Sequence, residues 1–296
     1  MGIPEIRSHI EAIEKNAVLH EERNFEVRTE AIDFIGFQLM GLIEDLHETD
    51  EVALLKEHAE KLMSELEAID SRLFERLRAG IRAGECRGAA FKAMLEEYID
   101  FNAGDEDRHE EPGYDSLDIF INGLFPQQAL PEQSREPEPE MVYYQKTPAR
   151  IVFELAEGAH FRENDVFFDL GSGLGQVVIL VHLLSGIKAR GIEFEPSFCD
   201  YAQGCAAGLH LAELTFINVD ARDADYSEGN VFFMFTPFRG AMLQEVLEML
   251  RKESQKRKIR IISYGPCTAE LALQSWLNRT EPEDKGVYKL AVFSSL

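Results

Sequence analysis

Residues 166–176 read Val-Phe-Phe-Asp-Leu-Gly-Ser-Gly-Leu-Gly-Gln, an apolar run that ends in Asp169 and passes into glycines at every second position. A buried parallel strand reads as a continuous hydrophobic run, and the chain must leave it through a tight turn to enter its crossover helix. Gly171, Gly173 and Gly175 permit positive φ there and let a ligand approach the backbone without meeting a Cβ. The helix that follows, from Gln176 through the apolar stretch 177–184, directs free N–H groups and its positive dipole end at whatever lies over the turn. The spacing is Gly-x-Gly-x-Gly rather than the Gly-x-Gly-x-x-Gly of dinucleotide sites, and the Lys-Ser/Thr pair of a phosphate loop does not follow. Asp169 repels a pyrophosphate but welcomes an ammonium group. The turn therefore suits a ligand with an amino-acid end.

Further acids arrive at strand ends downstream. A second strand, 189–194, contains Gly191-Ile192-Glu193, about twenty residues beyond the glycines, where a carboxylate can accept hydrogen bonds from both hydroxyls of a ribose. Glu195, two residues on, is expected to point away unless the chain is already turning there. Pro196 opens a helix over 197–209, a favoured place for proline. A third strand, 215–219, leads to Asp220-Ala221, and a fourth, 231–235, runs into Thr236-Pro237-Phe238.

The pattern Asp169-x-Gly171-Ser172-Gly173-x-Gly175-Gln176 resembles motif I of the class I S-adenosylmethionine-dependent methyltransferases. That resemblance implies an α/β, Rossmann-like methyltransferase sheet with S-adenosyl-L-methionine as cofactor, Glu193 on the ribose and Asp220, with Ala221, at the adenine. The loop after strand four then lies beside the transferable methyl, so Thr236, Pro237 and Phe238 become the acceptor-loop candidates. Enzymes of this class that methylate amines or amides often carry Asn/Asp-Pro-Pro-aromatic here. Thr236 replaces the Asn or Asp, and a hydroxyl is a poorer partner for a nucleobase amine. Phe238 supplies an apolar wall, a ring face for a cationic amine, or ordinary core packing.

Within that superfamily the chain is most similar to the disruptor-of-silencing type histone-lysine methyltransferases. The likeness rests on residues 166–178, on Gly191-Ile192-Glu193, and loosely on Tyr144-Gln145-Lys146-Thr147, and it covers about residues 141–240. Thr147 is expected as an N-cap, with Pro148 at the first helical position, and by analogy lies near the methionine carboxylate. The likeness fails after strand four, where that family is Asn-rich; the fold carries over and the histone substrate does not.

Composition adds bounds. The 296 residues suggest about two domains, and 45% hydrophobic content is ample for a packed core. Cys86, Cys199, Cys205 and Cys267 are scattered, which reads as reduced thiols rather than a disulfide or zinc framework. The dispersed histidines suggest no metal site. With no apolar leader and no run of eighteen apolar residues, the expectation is a cytoplasmic protein without a membrane span. The net charge of −24 is uneven: residues 1–140 hold 14 Lys/Arg against 34 Asp/Glu, residues 141–296 hold 16 against 20. Such a field repels phosphates, so a nucleic-acid partner is disfavoured. The basic cluster Arg251, Lys252, Lys256, Arg257, Lys258 and Arg260 reads first as a solvated helix end.

Three regions follow. Residues 1–101 carry apolar positions at helical period, with breaks near 47–50 and 80–88, and predict an all-α domain of three to five helices. These could be a scaffold, a lid, or the surface of a homodimer. Residues 102–140 form an acidic, proline-rich joint with an apolar island around Leu117–Phe125 in sequence and an exposed linker over 131–140. Residues 141–296 form the methyltransferase domain, with a helix near 240–252, a strand at 259–264, a helix over 268–277, a last strand at 287–294 and a faint sixth strand near 276–280.

The chemistry implied is displacement at a sulfonium methyl, which needs alignment and exclusion of water more than a strong base. Phe235, Phe238 and Tyr143 or Tyr144 would favour the neutral form of an amine acceptor. A protein or small-molecule acceptor leads; a nucleic-acid methyltransferase and a non-catalytic cofactor-binding scaffold are the alternatives.

Overall fold

The computed structural model describes residues 2–101, 113–126, 129–280 and 286–296. Among them two units separate: residues 2–80, 93–101 and 115–124 form one, and residues 81–92 and 113–114 with those from 125 onward form the other, so the boundary falls within the helix over 89–96.

The first unit is helical, as the period of its apolar residues requires. Helix α1 spans Ile3–Glu14, α2 Phe25–Asp33, α3 Met40–Glu44, α4 Asp50–Arg82, α5 Ala89–Glu96 and α6 Ser116–Leu124. The breaks fall at 45–49 and 83–88, close to where the pattern lapses. Ile6 and Ile10 of α1 meet Ile35, Leu39 and Ile43, and Leu55, Leu62, Leu66 and Ile69 of α4 complete that core. Leu54, although it fits the apolar pattern, is exposed. A second cluster forms where Phe120 of α6 lies edge-on to Phe25 (4.9 Å) and Phe74 (5.2 Å). Gly123 is required there, because a Cβ would come within 2.2 Å of the Phe74 ring. Periodicity does not foresee the π-helical stretch Phe34–Leu39, which interrupts the α-helical run between α2 and α3. Nor does it foresee Arg28, fully buried and bonded to Asp70 and to the carbonyls of Leu19, Glu21 and Glu22. The apolar island of the joint is α6 and belongs to this unit; the predicted acidic stretch 102–112 lies outside the described residues.

The second unit is an α/β sheet. Helix α7 (Ala149–Gly158) precedes β1 (Val166–Leu170), α8 (Gln176–Ser185), β2 (Lys188–Glu193), α9 (Pro196–Gly208), β3 (Leu214–Asn218) and β4 (Val231–Met234). Then come α10 (Gly240–Ser254), β5 (Arg260–Ser263), α11 (Cys267–Ala272), β6 (Leu277–Arg279) and β7 (Ala291–Ser295). The sheet runs β3-β2-β1-β4-β5-β7-β6. The first five strands pair in parallel, and β7 inserts antiparallel between β5 and β6. The faint sixth strand is thus real, and α11 is shorter than its apolar pattern suggests. Phe167, Phe168, Phe232 and Phe233 are fully buried in the two central strands, which explains their unbroken apolar sequence. From β1 the order proceeds to β2 and β3 on one side and resumes at β4 on the other. The connections that leave β1 and β4 therefore cross to opposite faces of the sheet, the arrangement that places a crevice at the strand ends.

Candidate functional site

The glycine turn after β1 is built from positive φ at Gly171 (76°), Gly173 (51°) and Gly175 (81°). Each glycine also permits a close approach. A Cβ on Gly171 would lie 2.5 Å from Pro237 Cβ, and one on Gly173 only 2.1 Å from Tyr144 Cε2. A Cβ on Gly175 would strike Ala202 of α9 and Phe216 of β3. The first two glycines thus admit the loop after β4 and the segment before α7; the third admits packing beneath the turn. The turn is fixed to β2 by Gly171 N and Ser172 N, which both donate to Ile192 O.

Glu193 ends β2 beside that turn. Its Oε2 accepts from Gly173 N at 2.7 Å and its Oε1 from Glu195 N at 2.8 Å. Burial raises its pKa, against the backbone hydrogen bonds that favour the charged form. Asp169 is buried at the end of β1, and burial, with the neighbouring Glu193 charge, pushes its pKa up to about 8.

A cleft opens at the strand ends. Gly171, Glu193, Asp220, Ala221, Thr236, Pro237 and Phe238 all line it, so residues from four separate loops meet there. Asp169, Ser172, Gly173, Gly175, Gln176 and Thr147 do not line it; they form its support. Gln176 Nε2 donates to Thr147 O at 2.8 Å, and Gln176 Oε1 and Ser172 Oγ are buried without a hydrogen-bond partner among the described residues.

Several expectations change. Thr147 is not the N-cap of α7: the helix opens at Ala149 behind Pro148, with no side-chain cap, and Thr147 is instead buried and uses its carbonyl. Thr236 has φ of 43°, unusual for a β-branched residue, and its hydroxyl is occupied: it accepts from Cys267 N (3.1 Å) and donates to Tyr264 O (3.3 Å). It braces the loop. Phe238 is almost wholly buried, bridged to Met141 and part of the core as well as the cleft wall. Phe235 turns to Tyr264 and Tyr288 and is not a wall of the cleft, whereas Tyr143 and Tyr144 are.

Glu195 does not point away. Residues two apart on a strand share a face, so alternation gives no reason to turn Glu195 from Glu193; the chain turns at Phe194, and Glu195 is buried on the cleft. It caps α9 through Ser197 N and accepts from Ser134 Oγ (2.5 Å) and Arg135 N (2.8 Å). Burial disfavours its charge, but these hydrogen bonds outweigh that and pull its pKa down to about 2. Its position before Pro196 was the available signal, since a polar residue preceding an N1 proline is an N-cap candidate. Residues 131–140, expected as an exposed linker, are indeed mostly exposed in their side chains but bonded along the strand ends. Arg222, which sequence reasoning passed over, grips Asp220 and Glu138.

The basic cluster is largely consumed inside the unit. Arg251 pairs with Glu248, Lys256 and Arg257 with Glu253, and Arg260 with Asp165. Among the described residues no helix is long and apolar enough to cross a membrane.

Residues 136–268 match the family described as histone methylation protein DOT1. The domain resembles the DOT1 methyltransferases. Over 147 residues, 45% of this chain, the match to a Dictyostelium discoideum protein described as histone-lysine N-methyltransferase, H3 lysine-79 specific, is 26% identical. The chain spans 7% of that relative's length. Solved structures similar to it include an RNA methyltransferase from Salinibacter ruber in complex with S-adenosyl-L-homocysteine, at 24% identity over 51% of this chain and 92% of that one, TM-score 0.42. Another is a SAM-dependent methyltransferase from Aquifex aeolicus, at 18% identity over 50% and 93%, TM-score 0.40. This chain's seven-stranded order, the glycine turn after β1 and the acid ending β2 are those of a class I methyltransferase domain, whose cofactor is S-adenosyl-L-methionine.

Proposed function

We propose that the DOT1-like domain transfers a methyl group from S-adenosyl-L-methionine to an amine nitrogen of a protein. The observation that carries the cofactor half is the convergence of Glu193 on Gly173, which brings the ribose acid and the glycine turn into one strand-end site. The donor set fits such a ligand. Buried Asp169 suits an ammonium, Glu193 retains lone pairs for two hydroxyls, and Ser172 Oγ and Gln176 Oε1, which have no hydrogen-bond partner among the described residues, flank the turn. When bound, the cofactor supplies an electrophilic methyl on a sulfonium.

The chain's own task is then orientation and exclusion of water. Glu193 holds the ribose, Asp220 accepts from the adenine amine, and Tyr144 and Pro237 cover the glycine turn. Thr236, its hydroxyl already bonded, sets the course of the acceptor loop rather than binding the acceptor. Phe238 and Tyr143 present apolar surface at the cleft, where an incoming amine sheds water and is favoured in its neutral, nucleophilic form.

Support for a protein acceptor comes from the matched family's description and from the histone-lysine specificity in the Dictyostelium relative's name. The test is labelled-methyl transfer into fractionated cell extract, with nuclease and protease arms. Label that survives nuclease, is released by protease and resides on lysine is expected. Label lost to nuclease would overturn the acceptor; no transfer together with no binding of S-adenosylhomocysteine would overturn the whole reading.

A further inference from the structure

Along the strand-end face of the catalytic unit, residues 132–142 are tied to three successive loops. After β2, Glu195 takes Ser134 Oγ and Arg135 N. After β3, Arg222 Nη2 donates to Glu138 Oε1 at 2.7 Å. After β4, Val142 N donates to Pro237 O at 3.0 Å, and Glu140 accepts from Ala241 N (3.1 Å) and Met242 N (2.7 Å) at the start of α10. This strap supplies Gln133, Pro137, Met141 and Val142 to the cleft wall.

The middle tie differs from the others. The same Arg222 Nη2 also donates to Asp220 Oδ2 at 2.7 Å, while Arg222 Nε (3.0 Å) and backbone N (2.8 Å) both reach Asp220 Oδ1. Two 2.7 Å bonds to one nitrogen place Asp220 Oδ2 and Glu138 Oε1 no more than 5.4 Å apart. Carboxylates that close repel unless a cation stands between them. Asp220 is also the acid assigned above to the adenine; its side chain is only 13% exposed, whereas that of Glu138 is 48% exposed, so water screens the repulsion from the Glu138 side alone.

We infer that Arg222 is a positioning residue that holds Asp220 for the cofactor and, by neutralising the Asp220–Glu138 pair, keeps the strap seated beside the adenine end of the cleft. The adenine part of this inference rests on the function proposed above; the seating of the strap does not. Without the Arg222 side chain, Asp220 keeps the backbone N–H of residue 222 but loses its two guanidinium donors, and Glu138 becomes a repelling charge. The strap then lifts at its middle tie and takes Pro137 and Met141 with it. Arginine suits the position because one planar fork serves both acids, which the point charge of a lysine does less well.

The decisive experiment compares wild type with Arg222→Gln, Arg222→Lys, Glu138→Gln and the double variant Arg222→Gln/Glu138→Gln. Amide hydrogen exchange over 133–142 is measured in the ligand-free protein, and affinity for S-adenosylhomocysteine by calorimetry. Arg222→Gln is expected to speed exchange in the strap and weaken affinity, each by about tenfold or more. Arg222→Lys should fall between, and it remains readable if Arg222→Gln does not fold. The double variant should recover most of the lost exchange protection, because the repulsion is gone, while affinity recovers only in part. Unchanged exchange in Arg222→Gln, or no recovery in the double variant, would overturn the inference. A wild type that binds no S-adenosylhomocysteine would overturn the cofactor assignment and leave the exchange comparison intact.

Discussion

Glu193 Oε2 accepts the amide hydrogen of Gly173 at 2.7 Å, across 20 residues of sequence. The bond joins the tip of β2 to the turn after β1, so the two groups that most need a fixed separation are held by the backbone itself. Glu193 Oε2 accepts the N–H of Gly173 and Oε1 that of Glu195, and lone pairs of the carboxylate remain for a ligand hydroxyl.

Removal of that carboxylate should therefore cost affinity directly. A charge-assisted hydrogen bond contributes about 1.5–3 kcal/mol, which is roughly one to two powers of ten. Glu193→Ala is expected to weaken S-adenosylhomocysteine binding by that order in calorimetric titration. An unchanged affinity would remove Glu193 from the ribose.

Gly173 should tolerate no side chain. Its φ of 51° disfavours any other residue, and a Cβ would meet the Tyr144 ring at 2.1 Å. Gly173→Val is expected to abolish cofactor binding while the helical unit keeps its far-UV dichroism. Wild-type affinity in this variant would show that the turn is not the site.

Glu195→Ala should act mainly on stability. Glu195 caps α9 and anchors Ser134 and Arg135, and loss of an N-cap costs about 0.5–2 kcal/mol. Urea unfolding should show a loss at least that large, with faster proteolysis of the strap. A variant as stable as wild type would mean that those hydrogen bonds contribute nothing net.

Asp169 predicts a pH dependence. Its pKa is about 8 in the folded, ligand-free chain and roughly 3.9 in an unfolded one. Between those values the folded state holds the proton and the unfolded state does not. The stabilising contribution is thus fully present below about pH 4 and is lost as pH rises through 8. A cationic ligand favours the ionised form, so its binding should release a proton and tighten as pH rises toward 8. Titration in buffers of different ionisation enthalpy reads the proton, and Asp169→Asn should suppress it. Affinity that falls over pH 6–8 would contradict the assignment.

Bulk DNA or RNA should bind negligibly at physiological salt. Residues 1–140 are strongly acidic, and Arg251, Lys256, Arg257 and Arg260 are already paired with Glu248, Glu253 and Asp165. A tight, salt-sensitive gel shift would reverse this and implicate the 251–260 cluster.

What was legible in the chain itself is what adjacency and period determine. The unbroken Phe167-Phe168 and Phe232-Phe233 runs mark central strands because a strand buried on both faces has no polar side to show. Gly171, Gly173 and Gly175 announce a turn because only glycine takes positive φ there without strain. Glu193 could be chosen because a strand tip is a fixed number of residues from its own start. Even β6, three residues long, left a trace.

Tertiary structure alone decided which way Glu195 faces, since that depends on where the chain stops being a strand. It decided that Thr236 spends its hydroxyl on Cys267 and Tyr264, and that Phe235 packs with Tyr264 and Tyr288. It brought Glu138 to Arg222 across 84 residues and Glu140 to Met242 across 102. None of these pairs has a period or a local spacing. A proline- and glutamate-rich segment has the composition of a linker whether or not a buried acid and a helix N-terminus lie within its reach. That reach is set by the order of strands in the sheet, which side-chain patterning along the chain does not encode.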